Sequence, residues 1–155
     1  PVFGTERKYG MRIINGFALV VMLAFAAQAG WADDITGHDR FLCSIGDVTM
    51  CNMDWECETD APSRFNIPDF IVFDLEAGLL KTTEASHENR QTPILSITRE
   101  DGLIVLQGLE MGRAFSFNID EISGVLTASA SKPGQFSGAF GVCTPIEGTA
   151  KADDE

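Results

Sequence analysis

Arg113-Ala114-Phe115-Ser116-Phe117-Asn118-Ile119 alternates without a break: Phe115, Phe117 and Ile119 fall on one face, Ala114, Ser116 and Asn118 on the other. Side chains of an extended chain point to opposite sides in turn, so strict period-two alternation reads as a half-buried antiparallel strand. Asp120 to Gly124 turns the chain. Val125–Ser131 (VLTASAS) then repeats the pattern, with Leu126, Ala128 and Ala130 against Val125, Thr127 and Ser129.

The same grammar extends in both directions. Downstream, Lys132-Pro133-Gly134-Gln135 is a turn, and Phe136–Cys143 (FSGAFGVC) closes the series. Upstream, Ile94–Arg99 and Leu103–Gln107 flank Glu100-Asp101-Gly102, where Asp-Gly signals a tight hairpin, and Gly108 to Gly112 makes the next connection. Asp69–Leu75 (DFIVFDL) ends in Glu76-Ala77-Gly78 and returns as Leu79–Thr83, while Glu84–Thr92 (EASHENRQT) is a polar loop. Arg40–Ile45 (RFLCSI) supplies one more strand, and Val48–Glu56 leaves room for a single helical turn. The expectation is an all-β fold: an antiparallel meander of about eight strands, closed as a small up-and-down barrel or flattened into a two-sheet sandwich. Cys143 has the opposite parity to Phe136, Phe140 and Val142, which predicts either a bulge at Gly141 or a disulfide on the outer face.

The chain has 155 residues, 45% hydrophobic and 22% charged, the composition of one globular domain. Its net charge of -12 opposes phosphate backbones and anionic lipid, and so argues against nucleic-acid and membrane-surface partners. Residues 11–32 read as a signal peptide: Met11-Arg12, the apolar run Gly16 to Ala27 (GFALVVMLAFAA), then Gln28-Ala29-Gly30-Trp31-Ala32. The run is shorter than the ~20 residues a membrane span needs. Cleavage after Ala29 or Ala32 satisfies the small-residue rule, and the second leaves Asp33-Asp34 as the new terminus. Residues 1–10 (PVFGTERKYG) precede Met11 and read as an upstream extension or remnant; 33–146 reads as a single β domain, and 147–155 (EGTAKADDE) as a polar tail. Cys43 is too far from the cut to carry a lipid anchor, so no membrane association is expected after cleavage. Loss of Arg7, Lys8, Arg12 and Glu6 takes the net charge from -12 to -14. The expected location is periplasmic or secreted.

Four cysteines in an exported domain imply two disulfides and three possible connectivities. Cys51 and Cys57 flank a short acidic loop, and Cys43 and Cys143 lie in the first and last strands, which favours Cys43–Cys143 with Cys51–Cys57. A loop as long as the one closed by Cys43–Cys143 is worth about 4 to 5 kcal/mol by the chain-entropy argument. Cys-x-x-Cys is absent, so thiol–disulfide exchange is not indicated.

Asp54, Glu56, Glu58 and Asp60 form an acidic run in and beside the cysteine loop. Hard cations take several oxygen ligands, yet the run lacks the glycine and the spacing of a calcium loop, and a solvated loop is the reading. No metal and no cofactor are expected. His38 and His87 stand in polar surroundings, and Gly-x-Ser-x-Gly is absent, so neither a zinc site nor a serine nucleophile is indicated. Glycines fall at turns and strand ends rather than in a phosphate cradle. Trp55, beside Asp54 and Glu56, reads as a partner-binding anchor or as a plug for one end of the barrel.

Phe41-Leu42-Cys43, Cys51, Cys57-Glu58-Thr59-Asp60 and Phe140-Gly141-Val142-Cys143 resemble small exported four-cysteine proteins of alphaproteobacteria. The resemblance implies an exported β-rich fold and no activity. A weaker similarity is to periplasmic inhibitors of c-type lysozyme, small eight-stranded barrels with a cysteine near each end. Their Ser-Gly-x-x-Tyr signature is missing; Ser123-Gly124-Val125-Leu126 is the nearest match, and no inhibitory residue carries over.

Short loops leave little material for a catalytic site, so the protein is expected not to be an enzyme, with a hydrolase the least favoured reading. The leading expectation is an acidic, inhibitor-like interaction module that presents Trp55, Asp54, Glu56, Glu58 and Asp60 to a basic protein. The alternative is a small-ligand carrier with a lipocalin-like interior lined by Phe73, Phe115, Phe117 and Phe140. An eight-stranded interior is just wide enough to fill with side chains, which favours a packed core over a cavity.

Overall fold

A computed structural model describes residues 33–146 of the chain; the signal peptide, the upstream extension and the tail expected from the sequence lie outside them. Nine strands follow in order: β1 Arg40–Asn52, β2 Cys57–Asp60, β3 Phe70–Asp74, β4 Leu79–Thr82, β5 Gln91–Glu100, β6 Leu103–Glu110, β7 Arg113–Asp120, β8 Val125–Lys132 and β9 Gln135–Pro145. Two short 3-10 turns, Pro62–Phe65 and Glu84–Ser86, are the only helical elements among the described residues.

All neighbouring strands run antiparallel, and β9 pairs back onto β1. The sheet is therefore a closed eight-strand barrel of β1 and β3–β9, and the flattened sandwich is set aside. The ninth strand, β2, lies outside the barrel count. It pairs with the second half of β1 (Val48↔Asp60 to Cys51↔Cys57), while β3 pairs with the first half (Arg40↔Asp74 to Ser44↔Phe70). The opposite edge of β1 carries β9 throughout, with an irregularity between Ile45 and Val48. This corrects the expected helical turn after Val48: Val48, Thr49 and Met50 are hydrogen-bonded on both edges, and β1 simply continues to Asn52. Of the three two-residue hairpins, Asp101-Gly102 and Met111-Gly112 have positive φ at both central residues, the backbone twist that matches flanking strands, and Pro133-Gly134 at Gly134 alone.

One end of the barrel is filled. Phe41 stacks on Phe73 with ring centroids 5.2 Å apart, and Phe73 meets the edge of Phe117 at 5.1 Å. Ile104, Leu106, Ile119 and Leu126 complete the layer, and Ile35, from the arm before β1, is fully buried against them. The arm is fixed by Ile35 N–H donating to Glu121 O (2.8 Å) and Leu75 N–H donating to Asp39 O (2.8 Å).

The inward residues of β9 are Ser137, Ala139 and Cys143, and the outward ones are Phe136, Phe140 and Val142. Phe140, expected inside, is 73% exposed. The Cys43–Cys143 disulfide is inside, joining directly opposed residues of the β1–β9 seam. Both alternatives read from the parity of Cys143 thus fail, and the irregularity sits on β1. The β9 alternation runs unbroken from Phe136 to Cys143, and at its inward position Gly141 a Cβ would stand 2.3 Å from the Ser44 carbonyl oxygen, so only glycine fits there. The second disulfide, Cys51–Cys57, ties β2 to β1.

Candidate functional site

The other end of the barrel is hollow, and the reason is side-chain size. β8 and β9 turn Ala128, Ala130, Ser137 and Ala139 toward the interior, opposite Ile71, Leu80, Phe115 and Phe117. Gly108 on β6 contributes no side chain. The Phe115 ring occupies that place, since a Cβ there would lie 2.2 Å from its tip. The ring is thereby held over β6, and a cavity of about 100 Å³ remains, open at the barrel mouth.

A strap crosses the mouth. It runs from β2 to β3 through the 3-10 turn Pro62–Phe65, which ends at Asn66 in the left-handed region, φ 57°. Phe65 and Ile67 pack onto the core from above. Two guanidinium groups tie the strap down: Arg90 Nη1 donates to Asn66 O (3.3 Å), and Arg113 Nη1 donates to Phe65 O (3.4 Å). Arg90 also pairs with Glu110, Nη2 to Oε1 at 3.0 Å, and approaches Glu88 at 3.6 Å. The same Glu110 oxygen accepts from Thr92 Oγ1 at 2.7 Å. Glu110 is thus engaged by Arg90 and Thr92, and Arg113 enters no ion pair among the described residues. The arrangement is an apolar pocket with a charged, cationic-leaning rim: it can bury a small apolar group and orient a polar one.

Three carboxylates are held below the ordinary aspartate range, and none of them lines the cavity. Lys81 donates to Asp74 at 2.7 Å, which lowers Asp74 against the opposing effect of burial. Asp34 is lowered by hydrogen bonds from Thr36, and Asp120 by hydrogen bonds from Ser123. Asp34 and Asp120 fasten local turns.

Trp55 sits at the tip of the β1–β2 hairpin with φ 62°, 78% exposed. It does not plug the barrel; Ile35 seals the packed end and the strap crosses the other. Asn52 builds the hairpin tip: its Oδ1 accepts from the N–H groups of Asp54 (2.9 Å) and Glu56 (3.1 Å), and its Nδ2 donates to Glu56 Oε2 (3.0 Å). Glu58 and Asp60 lie on exposed β2, and Asp60 is 3.8 Å from Arg64. Asp54, Glu56, Glu58 and Asp60 do not converge, and among the described residues no three His, Cys, Asp or Glu side chains form a metal-holding group. His38 lies in the N-terminal arm and gives its carbonyl to Arg99, while His87 ends the Glu84–Ser86 turn in the left-handed region.

Sequence reading placed Phe115 and Phe117 inside the barrel but favoured a packed core, and it missed Arg90, Thr92, Glu110 and Arg113. The signal that could have found the cavity was the size of the inward residues of β8. Leu126, Ala128 and Ala130 shrink along the strand, and a barrel wall that shrinks toward one end leaves a void there.

The chain matches no protein-family model, no curated protein and no solved structure.

Proposed function

We propose that this chain is a small-ligand-binding barrel that works in an oxidising compartment, the periplasm or the cell exterior, without catalysing a reaction. The observation that carries the reading is the asymmetry of the interior, with one end packed to exclusion and the other open over an apolar floor of about 100 Å³. An apolar cavity of about 150 Å³ in another protein takes a benzene ring, so this one holds a chain end of a few carbons with the remainder in the mouth. Two disulfides fit an oxidising location, and the apolar run before residue 33 supports export.

Native mass spectrometry on protein exported through its own leader tests this. The expected result is a mass four hydrogens below the reduced chain cut before Asp33, plus a small molecule that leaves on denaturation. A bare chain that also takes up no alkyl compound added at millimolar concentration would contradict the reading.

A second reading keeps the expected interaction module, and Trp55 is the observation that favours it. A large apolar side chain fixed at the tip of a disulfide-closed hairpin among Asp54, Glu56 and Glu58 has the form of an anchor for a basic protein. Trp55→Ala is expected to weaken partner capture at least tenfold, and moderate salt to weaken it further. Capture insensitive to both would remove this surface from consideration.

A further inference from the structure

The ligand class follows from the one half-buried cation at the mouth that has no carboxylate partner. Among the described arginines and lysines, Arg40, Arg113 and Lys132 enter no ion pair, and Arg40 and Lys132 stand exposed in water. Arg113 is half-buried and lines the cavity. Its guanidinium has five N–H donors in a planar fork, and among the described residues its one hydrogen bond is the 3.4 Å bond to Phe65 O. A partly desolvated guanidinium with most donors unspent costs free energy unless a ligand or water takes them. Glu110, the adjoining acid of the same hairpin, is already held by Arg90 and Thr92.

We propose that the cavity binds a single-chain carboxylate: an alkyl chain whose end lies on Phe115, Ala128 and Ala139 and whose head pairs with Arg113. The proposal rests on the ligand-binding reading above and names the ligand for that site. A planar carboxylate matches the guanidinium fork with two parallel hydrogen bonds. A singly charged head is specified because one free guanidinium compensates one negative charge. A dianionic head would leave the second charge facing a chain of net charge -12. The chain's overall charge would on its own draw in cations, so a preference for an anion at this mouth can only come from local groups.

Isothermal titration of the oxidised chain with octanoate, 1-octanol and octylamine separates the possibilities. The expected order of affinity is octanoate, then octanol, then octylamine. Arg113→Met should weaken octanoate tenfold or more and octanol by far less, and Arg113→Lys should fall between, since it keeps the charge and loses the fork. Octanoate no tighter than octanol, octylamine as tight as octanoate, or octanoate unmoved by Arg113→Met would each overturn the carboxylate head and leave the apolar cavity standing. Failure of all three compounds to bind the wild-type chain would overturn the ligand-binding reading itself. The order among the three compounds is read on wild-type protein, so it decides even where a variant does not fold.

Discussion

Arg99 gathers three contacts at the packed end: Nε lies 2.6 Å from Glu121 Oε1, Nη1 donates to Asp39 Oδ1 at 3.0 Å, and Nη2 donates to His38 O at 2.8 Å. The Glu121 side chain is only 8% exposed, and among the described residues its Oε1 accepts no hydrogen bond of good geometry. The contact with Arg99 is therefore a charge contact more than a directed hydrogen bond, and it is what makes that burial tolerable. Removing one member of a buried pair leaves the other charge uncompensated. Arg99→Ala is expected to lower stability by about 3 kcal/mol in urea denaturation, while Arg99→Ala with Glu121→Gln should recover part of it. A loss below about 1 kcal/mol for the single variant would mean that water reaches Glu121. Asp74 offers a pH test at the same scale. Its folded value is depressed, chiefly by the hydrogen bond from Lys81, so its stabilisation is fully present above the ordinary aspartate value. It is lost as pH falls below about 4. The stability gap between wild type and Lys81→Met, at most about 1 kcal/mol for a pair this near the surface, should shrink as pH is lowered from 6 to 3. A gap constant over that range would place the stabilisation elsewhere.

The strands differ in how openly the sequence declares them. β7 and β8 are legible because, over Ala114–Ile119 and Leu126–Ala130, each inward residue is apolar and each outward one polar or small. β9 misleads because its larger apolar residues face outward, while its inward positions hold only Ser137, Ala139, Gly141 and the cystine, so the apolar face read from the sequence is the outer one. β2 is illegible, since Cys57-Glu58-Thr59-Asp60 is exposed along its whole length and has no apolar face to read. It is held by the cystine and by the hydroxyls of Thr49 and Thr59, 2.8 Å apart, which are pairings across the sheet rather than properties of the segment. The cavity rim was hidden for a related reason: Arg90 and Thr92 come from the entry to β5 and Glu110 and Arg113 from the β6–β7 hairpin, and the pairing of β5 with β6 brings the two sets together. The parity of β9 can be tested by truncation. Phe117→Ala should cost about 3 to 5 kcal/mol, as for a core aromatic, and Phe140→Ala no more than about 0.5 kcal/mol, as for a surface residue. Comparable losses for the two, measured by urea unfolding, would put Phe140 back in the interior.

At the scale of the whole molecule, the barrel is a closed wall with one end stopped and one end hollow. Closure depends on the β1–β9 seam, where Cys43–Cys143 fastens residues 100 apart in sequence, and a loop of that length is where a disulfide restricts the unfolded chain most. The packed end supplies the rigidity: three interlocked phenylalanines, with Ile35 drawn in from the N-terminal arm. The hollow end is open because β8 and β9 carry Ala128, Ala130, Ser137 and Ala139 there, where at the packed end they carry Leu126 and the Cys143 half of the cystine. That distribution is opposite to what a solid eight-stranded core requires, in which large and small residues interlock through every layer. The account therefore stands on the hollow being a real and usable space. Its most direct test is amide NMR of the oxidised protein titrated with 1-octanol, with Ala128→Leu as the filled counterpart. The predicted result is saturable shifts at Ile71, Phe115 and Ala139 in the wild type, and none in a variant that is at least as stable. Unmoved signals in the wild type, or shifts centred on the outer face at Phe140 and Val142, would contradict it.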